Sequence, residues 1–241
     1  MRFGIRARHP LRSGPAETAP RISEILAGEN FDALEISGKW AWGISAVDGC
    51  VGYIERAVLA DPVEADHVVA VRSARFYASP VLAGAPAAEL PMGSRVRVEG
   101  GTDVCRTPLG HGRASDLLPA DVSDADWAVT AEALIGASYV DGGRSGAGVD
   151  AGGLIFLGLQ LAGIAAPRFV DLQSELLGFE LDPDAAVRRG DLIFGDGAAA
   201  IMTDDQHCAT ADMAAGEVVR VPLSEFTSGI RGAVIRRRIE S

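Results

Sequence analysis

The stretch "GGRSGAGVDAGGLIFLGLQLAG", residues 142–163, decides the reading of this chain. Glycines at 142, 143, 146 and 148 make a tight turn, Asp150 follows, and an apolar run opens at Ala151. Aspartate is a favoured helix N-cap, because its carboxylate accepts from backbone N–H groups that the first turn leaves unpaired. The apolar residues of "LIFLGLQLAG" fall on every side of a helical wheel, so this helix is expected to be buried all round. Gly163 and then Pro167 end it. The glycines lack the Lys-Ser/Thr of a phosphate-binding loop, which leaves a turn feeding a helix start. A helix N-terminus is where a nucleophile would gain from the backbone dipole, yet nothing reactive stands at the start of this one.

Working outward, Ser123 precedes Asp126 by three residues and the run "WAVTAEALIGASY" follows, a capping-box-like start to a second helix. Downstream, "GDLIFGDGAAAIMTDDQHCATADM" reads as two or three strands with tight turns, and "GEVVRVPLSEF" and "GAVIRRRIE" supply more. One buried helix, one covering helix and a mostly antiparallel sheet make residues 122–241 an α+β unit. Residues 1–62 carry alternating segments, "FDALEIS", "WAWGISA" and "CVGYIE", bounded by turn signals that include Asp48-Gly49. About five short strands in some fifty residues predict a small barrel. Residues 63–121 repeat that plan weakly, with "LPMGSRVRVEGG" in the place of "LAGENFDALEIS" and without the Trp40/Trp42 pair. Trp40, Trp42 and Tyr53 are read as barrel core.

Composition narrows the function. The chain has 241 residues, 48% of them hydrophobic, and a net charge of −11 from 33 acidic and 22 basic side chains. That sign disfavours a nucleic-acid partner. The basic run Arg236-Arg237-Arg238 reads as a solvated tail or as arginines flanking a last strand, rather than as an anion site. Cys50, Cys105 and Cys208 are odd in number and widely spaced, which argues against a disulfide framework and for a reducing compartment. The N-terminus has positive charge but no apolar core of a signal peptide. The longest uncharged run, residues 151–167, falls short of the roughly 20 residues needed to span a bilayer. A cytoplasmic protein without a membrane partner is expected. His9, His67 and His111 have no ligand spacing, so neither a metal nor a cofactor is expected.

The order of the motifs resembles that of the NlpC-type cysteine peptidases, papain-like enzymes that cut peptidoglycan stem peptides at a γ-D-glutamyl bond. The residues that carry the resemblance are "ASYVDGGRSGAGVDAGGL", "AGIAAPRFVDLQ" and "RRGDLIFGDGAAAIM". They stand where the family shows Tyr-x-Trp-Gly-Gly, Asp-Cys-Ser-Gly-Leu, Pro-Arg, Arg-Gly-Asp-Leu-x-Phe and Gly-His-Val-Gly-Ile. The resemblance implies a papain-like C-terminal domain behind two small bacterial SH3-like β-barrels. It places the nucleophilic cysteine of the family on Ala151, the following serine on Gly152 and the catalytic histidine on Ala198. The third polar residue falls on Cys208 or, with one more gap, on His207. The catalytic set is therefore degenerate.

What the resemblance implies for binding is a separate matter. Asp150 holds the free amine of the substrate, and Tyr139 and Arg168 shape the cleft. Each has a structural alternative: Asp150 as helix cap, Tyr139 as a core aromatic with a polar tip, Arg168 as an ion-pair partner. Three functions follow as expectations. The first is a pseudoenzyme that binds a peptidoglycan-derived peptide. The second is an altered hydrolase with a relocated nucleophile, which would have to be Cys208. The third is an interaction protein with a closed cleft and a protein partner.

Overall fold

The computed structural model describes residues 1–62, 64–121, 126–182 and 184–240. By its internal contacts the chain divides into two compact units, Met1–Val122 with Ser145–Ala147, and Ser123–Arg144 with Gly148–Ser241.

The regular structure of the first unit is strand, apart from two 3-10 turns. Seven strands, β1 (Arg2–Ile5), β2 (His9–Arg12), β3 (Arg21–Ile25), β4 (Asn30–Ser37), β5 (Trp40–Ser45), β6 (Val51–Glu55) and β7 (Leu59–Ala60), make one antiparallel sheet in the order β3-β2-β6-β5-β4-β1-β7. The turn signals act as read. Gly38 and Gly49 take positive φ in the β4–β5 and β5–β6 connections, and Asp48 closes the second by accepting from the Cys50 amide at 3.0 Å. Seven more strands follow: β8 (His67–Val69), β9 (Ser73–Phe76), β10 (Ala88–Pro91), β11 (Arg95–Val96), β12 (Val104–Thr107), β13 (Gly110–Arg113) and β14 (Leu117–Pro119). The β12–β13 hairpin was not legible, because "VCRTPLGHGR" has no apolar alternation. Trp40 is buried, while Trp42 and Tyr53 are half-buried and face each other across β5 and β6.

Two hydrophobic clusters fill this unit. One is built on Leu11, Ile25, Phe31 and Ile54, the other on Val69, Phe76, Leu90 and Cys105. The backbone repeats around them. The Ile5 amide donates to Glu29 O and the Gly28 amide to Ile5 O; the Val69 amide donates to Ser94 O and the Gly93 amide to Val69 O. Gly28 and Gly93 both have positive φ. Each copy ends in a 3-10 turn, Arg56–Val58 or Ala114–Asp116, that runs into its last strand. These backbone bonds follow the same pattern in the two halves of the unit. The two halves share a wall: Ala27, from the first, belongs to the second cluster, and the Arg95 amide donates to its carbonyl at 2.8 Å.

The second unit contains α1 (Trp127–Ala133), β16 (Gly148–Val149), α2 (Ala151–Leu161) and α3 (Val170–Leu176), and it shares the two-residue strand β15 (Arg144–Ser145) with the first, which holds Ser145. Its sheet is formed by β17 (Phe179–Glu180), β18 (Leu192–Gly195), β19 (Ala198–Met202), β20 (His207–Asp212), β21 (Glu217–Pro222) and, beyond the short α4 (Leu223–Ser228), β22 (Ile235–Arg238). The order is β17-β22-β18-β19-β20-β21, with the assigned pairs antiparallel. Ser123 lies outside the described residues; the observed cap of α1 is Asp126, whose carboxylate accepts from the Ala128 amide at 3.0 Å. Every residue of α2 except Gln160 is buried, as its all-round apolar pattern requires. The arginine run is strand, not tail: Arg238 grips buried Asp191 with two bonds of 2.8 and 2.7 Å, and Arg237 donates to the Ser174 carbonyl at 2.6 Å.

Candidate functional site

One carboxylate joins the glycine turn to the start of α2. Asp150 Oδ1 accepts from the Gly153 amide at 2.6 Å, and Oδ2 from the Gly142 amide at 2.9 Å. Arg168 completes the set as a fork, Nη1 to Oδ1 at 2.9 Å and Nη2 to Oδ2 at 2.8 Å. A carboxylate has about four lone-pair positions, and all four are taken. Arg168, 2% exposed, also donates to the Gly143 carbonyl at 3.1 Å. In this geometry Asp150 is the cap of α2 and the ion-pair partner of Arg168. A ligand amine would have to displace one of these four bonds.

Close approach explains the two glycines after Ala151. A Cβ on Gly153 would collide with the Gly143 carbonyl, and one on Gly152 would stand 2.6 Å from the Arg168 carbonyl. Gln173, fully buried on α3, fixes the same backbone by donating to the Gly152 and Pro167 carbonyls at 2.9 and 2.8 Å.

Ala151 and Ala198, assigned from separate motifs, line one cavity of about 390 Å³. Tyr139 is on its wall, half-buried, with its phenol held above the usual value by burial and then by Asp150 and Asp141. Phe226 of α4 and Ile230 form another wall, which the sequence did not reveal because "PLSEFTSGI" is read as strand and turn material. Asp196, Asp212 and Glu225 line the cavity, and no lysine, arginine or histidine does. Its field therefore favours a ligand with a positive group. The β18–β19 turn that presents Asp196 has positive φ at Asp196 and Gly197, the two-residue hairpin geometry that Asp-Gly favours.

The third slot requires a correction. Along β19, residues 198, 200 and 202 share a face, and Ala200 pairs with Thr210 while Met202 pairs with Cys208. Thr210 reaches the cavity; neither Cys208 nor His207 lines it. Cys208 shares a face of β20 with Thr210 but lies further along the strand, opposite Met202. Thr210 supplies a hydroxyl, which donates to the Ala199 carbonyl at 2.9 Å. Cys208 is fully buried among Ile193, Ala200 and Met202, and burial, with Asp204, pushes its thiol up to about 12. That is the reverse of an activated nucleophile. His207 opens β20, its Nδ1 3.2 Å from Asp204 Oδ1.

The cavity thus offers charge, a phenol and apolar walls, but no thiol or imidazole. Among the described residues no group of three or more His, Cys, Asp or Glu is placed to hold a metal, and no helix is long and apolar enough to cross a membrane.

Residues 11–59 match the family described as the bacterial dipeptidyl-peptidase Sh3 domain. The whole chain is similar in structure to an NlpC/P60 family protein from Bacillus cereus, with 19% identity, 99% of each chain covered and a TM-score of 0.82. It is also similar to an NlpC/P60 endopeptidase from Photobacterium damselae subsp. piscicida, with 14% identity and a TM-score of 0.63. There 98% of this chain matches 65% of the other. A search of curated proteins returned no match.

Proposed function

We propose that this chain, which carries a bacterial SH3-type domain and has the fold of NlpC/P60 proteins, is a non-catalytic homologue of a cell-wall peptide endopeptidase. It binds a peptidoglycan-derived peptide without cutting it. Its architecture is two SH3-like modules followed by a papain-like domain, with boundaries near residues 62 and 121, and it acts in the cytoplasm. The observation that carries the reading is the meeting of Ala151 and Ala198 in one cavity. A thiol peptidase needs a thiolate, a base to set its protonation and a group to orient the base. Two methyl groups stand where the first two belong, so attack and proton transfer are lost together.

Binding has independent support. The cavity is not filled by side chains, which disfavours the closed-cleft alternative. Its three carboxylates suit a peptide with a free amine, while Tyr139, Phe226 and Ile230 give it apolar walls. The relocated-nucleophile alternative finds no support, because Cys208 lies outside the cavity with a strongly raised pKa.

The test uses L-Ala-γ-D-Glu-diaminopimelate. Calorimetry is expected to give saturable binding that weakens in the Asp212→Asn/Glu225→Gln variant, and chromatography is expected to find no released dipeptide. Turnover at ordinary enzymatic rates would overturn the pseudoenzyme reading; absence of binding heat would overturn the peptide assignment.

A further inference from the structure

The charge of the Ala151 cavity is one-sided, and its carboxylates come from separate elements. Asp196 is presented by the β18–β19 turn, Asp212 by the end of β20 and Glu225 by α4. Asp196 and Glu225 are exposed, and Asp212 is half-buried. Among the described residues no ion pair neutralises any of the three, and no arginine, lysine or histidine lines the cavity. Arg220, on the neighbouring strand β21, is committed to Asp204 and Thr203.

Asp212 is held in place by the backbone that follows it. Its Oδ1 accepts from the Ala214 and Ala215 amides at 2.7 and 3.2 Å. No protein donor among the described residues takes Oδ2. Ala200 pairs with Thr210 and Met202 with Cys208, and continuing that register two residues toward the cavity sets Asp212 across from Ala198. A fixed carboxylate therefore stands across from the position to which motif order assigns the histidine. It can hold an ammonium group there, but it puts no imidazole in reach of a thiol. Tyr139 and Phe226 add aromatic surface to the same lining, which also suits an ammonium better than a carboxylate.

We infer that the cavity selects its peptide by charge: Asp212 takes an ammonium group of the ligand, and Asp196 and Glu225 discriminate against a carboxylate on the same ligand residue. The inference rests on the peptide reading of the cavity and adds the chemical class of peptide that it takes. L-Ala-γ-D-Glu-diaminopimelate brings two ammonium groups and three carboxylates. L-Ala-γ-D-Glu-L-Lys brings the same two ammonium groups with one carboxylate fewer. Against an anionic lining without a compensating cation, that extra carboxylate is repelled, so specificity arises from a repulsive element as well as an attractive one.

Calorimetry on the full chain with these two peptides tests it. At low ionic strength the lysine peptide is expected to bind about tenfold tighter, and the preference is expected to shrink as salt is added. Asp212→Asn keeps an acceptor for the Ala214 amide and removes the charge. In that variant the lysine peptide is expected to weaken about tenfold and the preference to narrow. Glu225→Gln, on an exposed position of α4, is expected to narrow the preference too. Thermal melting reports whether each variant is folded; if Asp212→Asn is not, Glu225→Gln decides. Equal affinities in the wild type, tighter binding of the diaminopimelate peptide, or a preference unchanged in the folded variants would overturn the inference and leave the peptide reading standing. No saturable heat with either peptide would overturn that reading, and the inference with it.

Discussion

At position 150 a single aspartate makes four bonds, and this sets what its removal costs. Asp150→Ala strips the partner from an arginine that is 2% exposed and leaves the Gly142 and Gly153 amides without an acceptor. Breaking a buried ion pair from one side costs about 3–5 kcal/mol. Urea denaturation is expected to show a loss of that order, with the slope unchanged. The cysteines give a second test. Cys50, Cys105 and Cys208 are all buried, and Cys208, raised to about 12, is almost entirely thiol at neutral pH. Because its folded pKa lies above the unfolded one, the stability it contributes is present below pH ~8.5 and is lost as pH rises toward 12. Native protein is expected to resist iodoacetamide at pH 8, whereas Ala151→Cys, at the α2 N-terminus, is expected to add one fast-reacting thiol. Mass spectrometry of the labelled chain reads both. In the double variant Ala151→Cys/Ala198→His the missing pair is restored. Dipeptide release is expected to rise about 10²-fold or more above Ala151→Cys alone, the usual contribution of a general base.

Helix α2 shows what a one-dimensional pattern carries and what it leaves out. Its burial, its cap and its glycine stop were legible because each depends on residues within a turn of one another. The meeting of Ala151 with Ala198 was reached only through motif order, since 47 residues of chain separate them. Which residues of β20 reach the cavity was not legible in "QHCATAD" either: Thr210 and Asp212 line it and His207 and Cys208 do not, because the cavity lies beside the Ala198 end of β19. The role of α4 was illegible, because a six-residue helix has too little periodicity to stand out. At this scale Gly153→Ala is a sharp test. Alanine is a better helix former than glycine by about 1 kcal/mol, so propensity alone predicts stabilisation. The collision with the Gly143 carbonyl predicts the reverse. Thermal unfolding is expected to show a lower midpoint for this variant, and a higher one would mean that the turn and helix are less tightly joined than their geometry indicates.

Across the whole molecule, sequence divided the chain into three segments, while its contacts divide it into two units. Local signals mark where a strand or turn lies, but not whether neighbouring cores share a wall. Here they do, through Ala27, the glycine that follows it and Arg95. Residues 1–62 expressed alone are therefore expected to be less stable than the same segment within residues 1–121, even though they hold the stretch matched to the Sh3 family. Differential scanning calorimetry on the two fragments would show it, and equal midpoints would contradict it. The shared wall runs one way. The second cluster takes Ala27 from the first segment, while the first cluster is built from residues 5–59 alone, so residues 63–121 separated from the first segment would leave an apolar wall open to water.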